Sequence, residues 1–152
     1  MIWRDDMKLS TKPRYALRIL IQLAFDVEKG NKSARGRDIA KKQHISEPYI
    51  EQMMMPLRAA KIVKTIRGCK GGYTLAKDPE NITVLDIIEL FEGPLSLVHC
   101  EKTDKSCDNF ANCFTRDVWK KLSDTLKTEA SKITLANIVK DVKEHSCPDY
   151  FI

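Results

Sequence analysis

Three of the five cysteines, Cys100, Cys107 and Cys113, lie close together, with six residues between the first two and five between the last two. That spacing is too wide for the C-x-x-C pairs that grip a single ion in zinc ribbons. It suits a group that draws several thiolates from one irregular loop, as an iron–sulfur cluster does, because a cubane is wider than one ion. Thiolates are soft ligands, which favours iron–sulfur or zinc over magnesium or calcium. The intervening polar residues, among them Lys102, Asp104, Lys105 and Asn109, let the sulfurs converge. Three cysteines leave one coordination position unfilled. Two other readings stay open: a metal-free thiol switch, and three thiols with no shared role. Cys69 and Cys147 stand apart from the group and are not expected to be ligands. His99 beside Cys100 does not make a nucleophile–base pair, since adjacent residues rarely do and no orienting acid is evident. No catalytic residues and no enzymatic activity are expected.

The charge distribution points to a second kind of chemistry. Residues 1–77 carry 17 Lys and Arg against 7 Asp and Glu, whereas residues 78–152 carry 9 against 14. A basic half joined to an acidic half implies that one end of the molecule meets a polyanion and the other does not. No apolar run approaches the roughly 20 residues of a membrane span. The opening residues have no apolar stretch of signal-peptide length, so a cytoplasmic protein without a membrane partner is expected. Thiols in that compartment stay reduced, which argues against a disulfide scaffold.

The elements that would position these residues can be read from periodicity. Ala16, Ile19, Leu20, Leu23, Ala24 and Val27 form the stripe of an amphipathic helix, capped by Ser10 or Thr11 and ended by Gly30-Asn31. A second helix fits residues 37–43 with Ile39 and Ala40 inward, and Ser46 is placed to cap a third from Glu47. Pro56 predicts a kink or restart of that helix near Met55. Met53, Met54 and Met55 read as core filler. Alternating residues 63–67 and 73–75 flank a glycine-rich turn, which makes a hairpin. Thr83 and Asp86 resemble a capping box opening a helix with Leu85, Ile88 and Phe91 inside. Val118, Leu122, Leu126 and Ala130 mark a long helix from Arg116, and Thr134 caps the last one. The expected fold is mainly α with a small β-hairpin wing: a winged helix-turn-helix followed by a long C-terminal helix. The expected division is residues 1–92 as the winged-helix domain, 93–114 as the cysteine loop and 115–152 as the C-terminal helices and tail.

In that arrangement Tyr49, Glu51 and Gln52 stand near the start of a helix able to enter a major groove. Gln52 can pair with adenine and Glu51 can accept from cytosine N4. Arg58, Arg67 and Lys70 are placed for phosphates or a minor groove, and Lys12, Arg14, Arg18, Lys41 and Lys42 add phosphate-facing charge. The competing use of such a fold is as a protein-docking module, which has no need of the basic first half.

From Met7 onward the chain resembles the IscR/NsrR/RirA/CymR family of bacterial winged-helix regulators. The matching stretches include Met7-Lys8-Leu9-Ser10, Asp38-Ile39-Ala40, Ile45-Ser46, Tyr49-Ile50-Glu51-Gln52, and above all Arg67-Gly68-x-x-Gly71-Gly72-Tyr73. The resemblance implies a homodimeric transcriptional regulator, a repressor, on a near-palindromic double-stranded DNA site. It implies that the helix from Arg116 packs against its partner, and that Tyr49, Glu51, Gln52, Arg58 and Arg67 sit where relatives contact DNA. It also implies that Cys100, Cys107 and Cys113 hold a 4Fe-4S or 2Fe-2S cluster reporting iron supply, oxygen or nitric oxide. Two departures from the family pattern concern the fourth ligand. Arg116 stands where one branch has a histidine and Arg14 where another has an aspartate, and arginine ligates neither iron nor zinc.

Overall fold

The computed structural model describes residues 9–69, 71–98 and 113–145. Among them are six α-helices, a two-stranded antiparallel sheet and one short 3-10 turn, Pro79–Asn81. Helix α1 (Thr11–Glu28) begins at Ser10, whose hydroxyl accepts from the Lys12 amide, and turns its apolar stripe to the core. Pro13 falls within the first turn of α1, where a missing amide costs no internal hydrogen bond.

Helices α2 (Gly36–Gln43) and α3 (Glu47–Ala59) form the helix-turn-helix. The turn between them is made by His44 in the left-handed region, φ 53°, whose amide reaches back to the last turn of α2. Ile39, Ile50, Met53, Met54 and Leu57 are all essentially buried and lock α2 and α3 onto α1. Two expectations change here. Helix α3 continues as one helix through Pro56 instead of restarting at Met55, with Met54 and Leu57 buried on either side of the proline. Met55 is 68% exposed and is not core, because it lies on the opposite face from Met54 and Leu57. Ser46 occupies the cap position of α3 in extended backbone but makes no side-chain capping bond.

Strands β1 (Val63–Ile66) and β2 (Gly72–Leu75) pair in the register Val63 with Leu75 and Ile66 with Gly72. The hairpin is extended by one isolated bridge, in which Ala34 and Tyr73 exchange both backbone hydrogen bonds at 2.9 and 2.8 Å. This bridge explains Gly72, because a Cβ there would collide with the Ala34 carbonyl. Gly68 takes φ +113° in the turn, a conformation that side chains resist.

Helix α4 (Val84–Glu92) opens with the complete capping box of Thr83 and Asp86. Its buried residues are Ile87 and Ile88, while Leu85 and Phe91 are only partly covered. Helix α5 (Arg116–Lys132) packs against α4, and Ser123 on it is fully buried, accepting from the Leu97 amide at 3.0 Å. Helix α6 (Leu135–Glu144) has a second complete capping box, Thr134 with Asn137. Its Leu135 and Val139 join the core around α1, and Thr83 bridges Thr134. The sequence grouped α6 with α5, whereas packing assigns its apolar face to the winged-helix body.

Candidate nucleic-acid interface

Helix α3 displays Glu47, Glu51, Gln52 and Arg58 as exposed side chains. Gln52 is free to project outward from the second turn. Tyr49 is half-buried: its ring meets Tyr15 edge-on, centroids 5.7 Å apart at 82°, and its hydroxyl lies 3.3 Å from Thr11 Oγ1. The first turn of α1, with Lys12 exposed, is therefore fastened beside the start of α3.

Glu51 is not simply a free acceptor. The Tyr73 hydroxyl donates to its Oε2 at 2.6 Å, across from α3 to β2. Tyr73 is only 8% exposed. Burial first, and then the Glu51 carboxylate, push its hydroxyl up to about 12, while Arg58 acts weakly in the other direction. This bond was not legible in the sequence, where Tyr73 registers as a strand residue and as the last residue of the wing motif.

The wing carries Arg67 and Cys69, both exposed, and Arg35 Nη2 donates to the Cys69 carbonyl at 2.5 Å. Lys70 lies outside the described residues. Beside the wing, Arg58, Lys61, Lys64, Arg67 and Lys77 line one open groove whose lining contains no carboxylate. Of these, the sequence had singled out Arg58 and Arg67. Lys61, Lys64 and Lys77 are added by the hairpin register, which brings the end of α3 alongside β1 and the residues after β2. Two other cations singled out for phosphate contact are used internally. Arg18 donates to the Gln43 side chain at 3.1 Å and to its carbonyl at 3.3 Å, with its guanidinium 5.4 Å from the Tyr15 ring centre. Lys42 pairs with the buried Asp26 at 3.2 Å.

Of the three grouped cysteines, Cys100 and Cys107 lie outside the described residues, as do Cys147 and His99. Cys113 is half-buried three residues before the start of α5, with its Sγ 3.3 Å from Thr115 Oγ1. The Thr115 hydroxyl first, then the backbone amides of Arg116 and Thr115, hold its thiol below the usual thiol range. Among the described residues no three His, Cys, Asp or Glu side chains gather as a metal site, and no helix is long and apolar enough to cross a membrane. Arg116 is the first residue of α5, and its guanidinium pairs with Asp117 at 3.7 Å.

A helix-turn-helix with an exposed second helix, a hairpin wing and an uncompensated basic groove defines a winged-helix DNA-binding protein. The family model described as Rrf2, iron-dependent transcriptional regulator, matches residues 9–141. The chain belongs to the Rrf2 family of transcriptional regulators. It is 39% identical over 132 residues to the HTH-type transcriptional regulator CymR of Bacillus subtilis (strain 168), covering 87% of this chain and 89% of that one. The solved structure of T. potens IscR superposes with a TM-score of 0.73 at 35% identity, covering 92% of this chain and 91% of that one. The structure described as that of CymR, the global cysteine regulator of B. subtilis, gives 0.71 at 36% identity, with 88% and 97% covered. These relatives are regulators of transcription, and the protein is a DNA-binding regulator, not an enzyme.

Proposed function

We propose that the protein is a cytoplasmic homodimer that represses transcription, placing α3 of each protomer in a major groove of a near-palindromic site. The groove of five cations without a carboxylate carries this reading, since such a surface is costly to maintain except against a polyanion. Gln52 and Glu51 serve base edges, Tyr49 fixes the approach of α3, and Lys12, Arg58, Arg67 and Lys70 serve the backbone or minor groove. The dimer rests on α5, where Val118, Leu122 and Leu126 are 54%, 46% and 45% exposed at steps of four residues. One helix face with that much apolar surface is satisfied by a second copy of itself. In this reading residues 1–92 together with α6 form the DNA-binding body, 93–114 the sensing loop and α5 the dimer helix.

The sensing group we propose is an iron–sulfur cluster, 4Fe-4S or 2Fe-2S, held by Cys100, Cys107 and Cys113. The donor chemistry fits it: Cys113 sits where hydroxyl and amide donors favour the thiolate, the form that ligates. When bound, the cluster supplies an oxygen- and iron-sensitive tie across the loop. The residues around that tie connect α4 to α5, so the loop lies between the DNA-binding body and the dimer helix. Arg14 and Arg116 leave the fourth ligand to come from elsewhere. Anaerobic reconstitution with iron and sulfide, followed by metal and sulfide analysis, tests this. Stoichiometric iron and sulfide lost on Cys→Ser substitution at each of the three positions is the expected result, and full binding by the triple variant would overturn it.

The similarity to a global cysteine regulator favours a second reading, a metal-free thiol switch on the same cysteines. The same experiment separates them. A protein that takes up no iron, yet loses DNA affinity reversibly on mild oxidation, is the thiol-switch form.

A further inference from the structure

The Glu51 carboxylate is held on one side and given room on the other by residues that the readings above leave without a role. On one side the buried Tyr73 donates its hydroxyl to Oε2 at 2.6 Å. On the other lies Gly36, the first residue of α2, where an added Cβ would stand 3.1 Å from Glu51 Oε1 and 3.6 Å from the Tyr73 ring. Gly36 does not use a left-handed backbone, so its lack of a side chain answers to space and not to conformation. Tyr73 is itself fixed by its two backbone bonds to Ala34, two residues before Gly36.

We propose that Tyr73 is a positioning residue for sequence specificity, fixing the Glu51 carboxylate in one orientation before DNA is engaged, and that Gly36 leaves the space this orientation needs. The inference rests on the reading that α3 enters the major groove. A carboxylate is acceptor-only, with room for about four hydrogen bonds on its two oxygens. Tyr73 occupies one of these positions and leaves the rest aimed by a short charge-assisted bond. An oxygen so fixed accepts from the cytosine amino group, and it cannot swing away when a guanine O6 or thymine O4 takes that place. A freely rotating glutamate would escape the repulsion and discriminate less. Tyr73 thus converts a flexible side chain into a rejecting element as well as an accepting one.

The test is selection of binding sites from a randomised duplex pool by the full-length protein, followed by affinities for single-base variants of the selected site. Glu51→Gln is expected to lose preference at one base pair per half-site. Tyr73→Phe is expected to weaken the preference at that same base pair by about 3- to 10-fold, with unchanged affinity for random-sequence duplex and unchanged salt slope. Added to Glu51→Gln, Tyr73→Phe should have no further effect on preference. Gly36→Ala crowds the carboxylate from the opposite side without removing a donor, and it should disturb the same base pair, which keeps the test independent of any loss of folding in Tyr73→Phe. A uniform loss on all sequences in both variants would mark a mere brace and overturn the inference. So would a wild-type preference retained by both. A wild-type protein with no sequence preference at all would instead overturn the placement of α3.

Discussion

Lys42 on α2 pairs with Asp26 on α1 at 3.2 Å, and the acid is 5% exposed while the lysine side chain remains 45% exposed. The pair pins the helix-turn-helix to the long first helix at a point where the acid has no other charged partner among the described residues. Removing the lysine leaves a carboxylate in a poorly hydrated site. Lys42→Ala should lower unfolding free energy by about 1–2 kcal/mol, discounted for the exposed lysine. Asp26→Asn should cost less than Lys42→Ala, because a neutral amide needs no counter-charge. Urea midpoints compare the two, and equal losses would show that the charge is already satisfied by solvent.

Tyr73 makes stability fall at high pH. Its folded value, about 12, lies above its ordinary value of 10.0. The contribution is therefore fully present below about pH 10 and is lost as pH rises toward 12. Its size is about 3 kcal/mol, two pKa units at about 1.4 kcal/mol each. Urea unfolding of wild type and Tyr73→Phe at rising pH should show converging stabilities, and a constant difference would be inconsistent with a Tyr73 hydroxyl held above its ordinary value by burial and by Glu51.

Arg67 stands on the wing in the carboxylate-free groove. Arg67→Ala should weaken binding to every duplex alike and reduce the slope of log K against log salt by about 1. Gln52→Ala should instead flatten the preference among single-base variants at nearly constant slope. Fluorescence anisotropy at several salt concentrations separates the two, and a sequence-dependent effect of Arg67→Ala would move that residue from the backbone to a base edge.

The exposed stripe of α5 should be the dimer contact. Leu122→Lys combined with Leu126→Lys is expected to give a folded monomer with at least about tenfold weaker operator binding, since half the contact surface is lost. Sedimentation velocity gives the mass directly. A dimer persisting in this variant would place the interface elsewhere.

Much of this was determined by the sequence alone because it is local. The stripe of α1, the capping box at Thr83, the cap at Thr134, the glycines of the wing turn and the cysteine spacing each follow from residues within a few positions of one another. Tertiary structure decided what depends on distant segments meeting. Pro56 breaks a helix in isolation, yet Met54 and Leu57 buried on either side carry α3 through it. Val139 reads like another stripe residue, and only packing sends it to the core while Leu122 stays outside. Lys42 and Arg18 look the same as Lys64 in a string of letters. Their partners Asp26 and Gln43 lie 16 and 25 positions away, and those contacts alone turn them from surface charges into internal ties. Tyr73 and Glu51, 22 positions apart, meet only because β2 folds back beside α3. Local periodicity carries no record of such a meeting, since it depends on the long-range register and not on the neighbours of either residue.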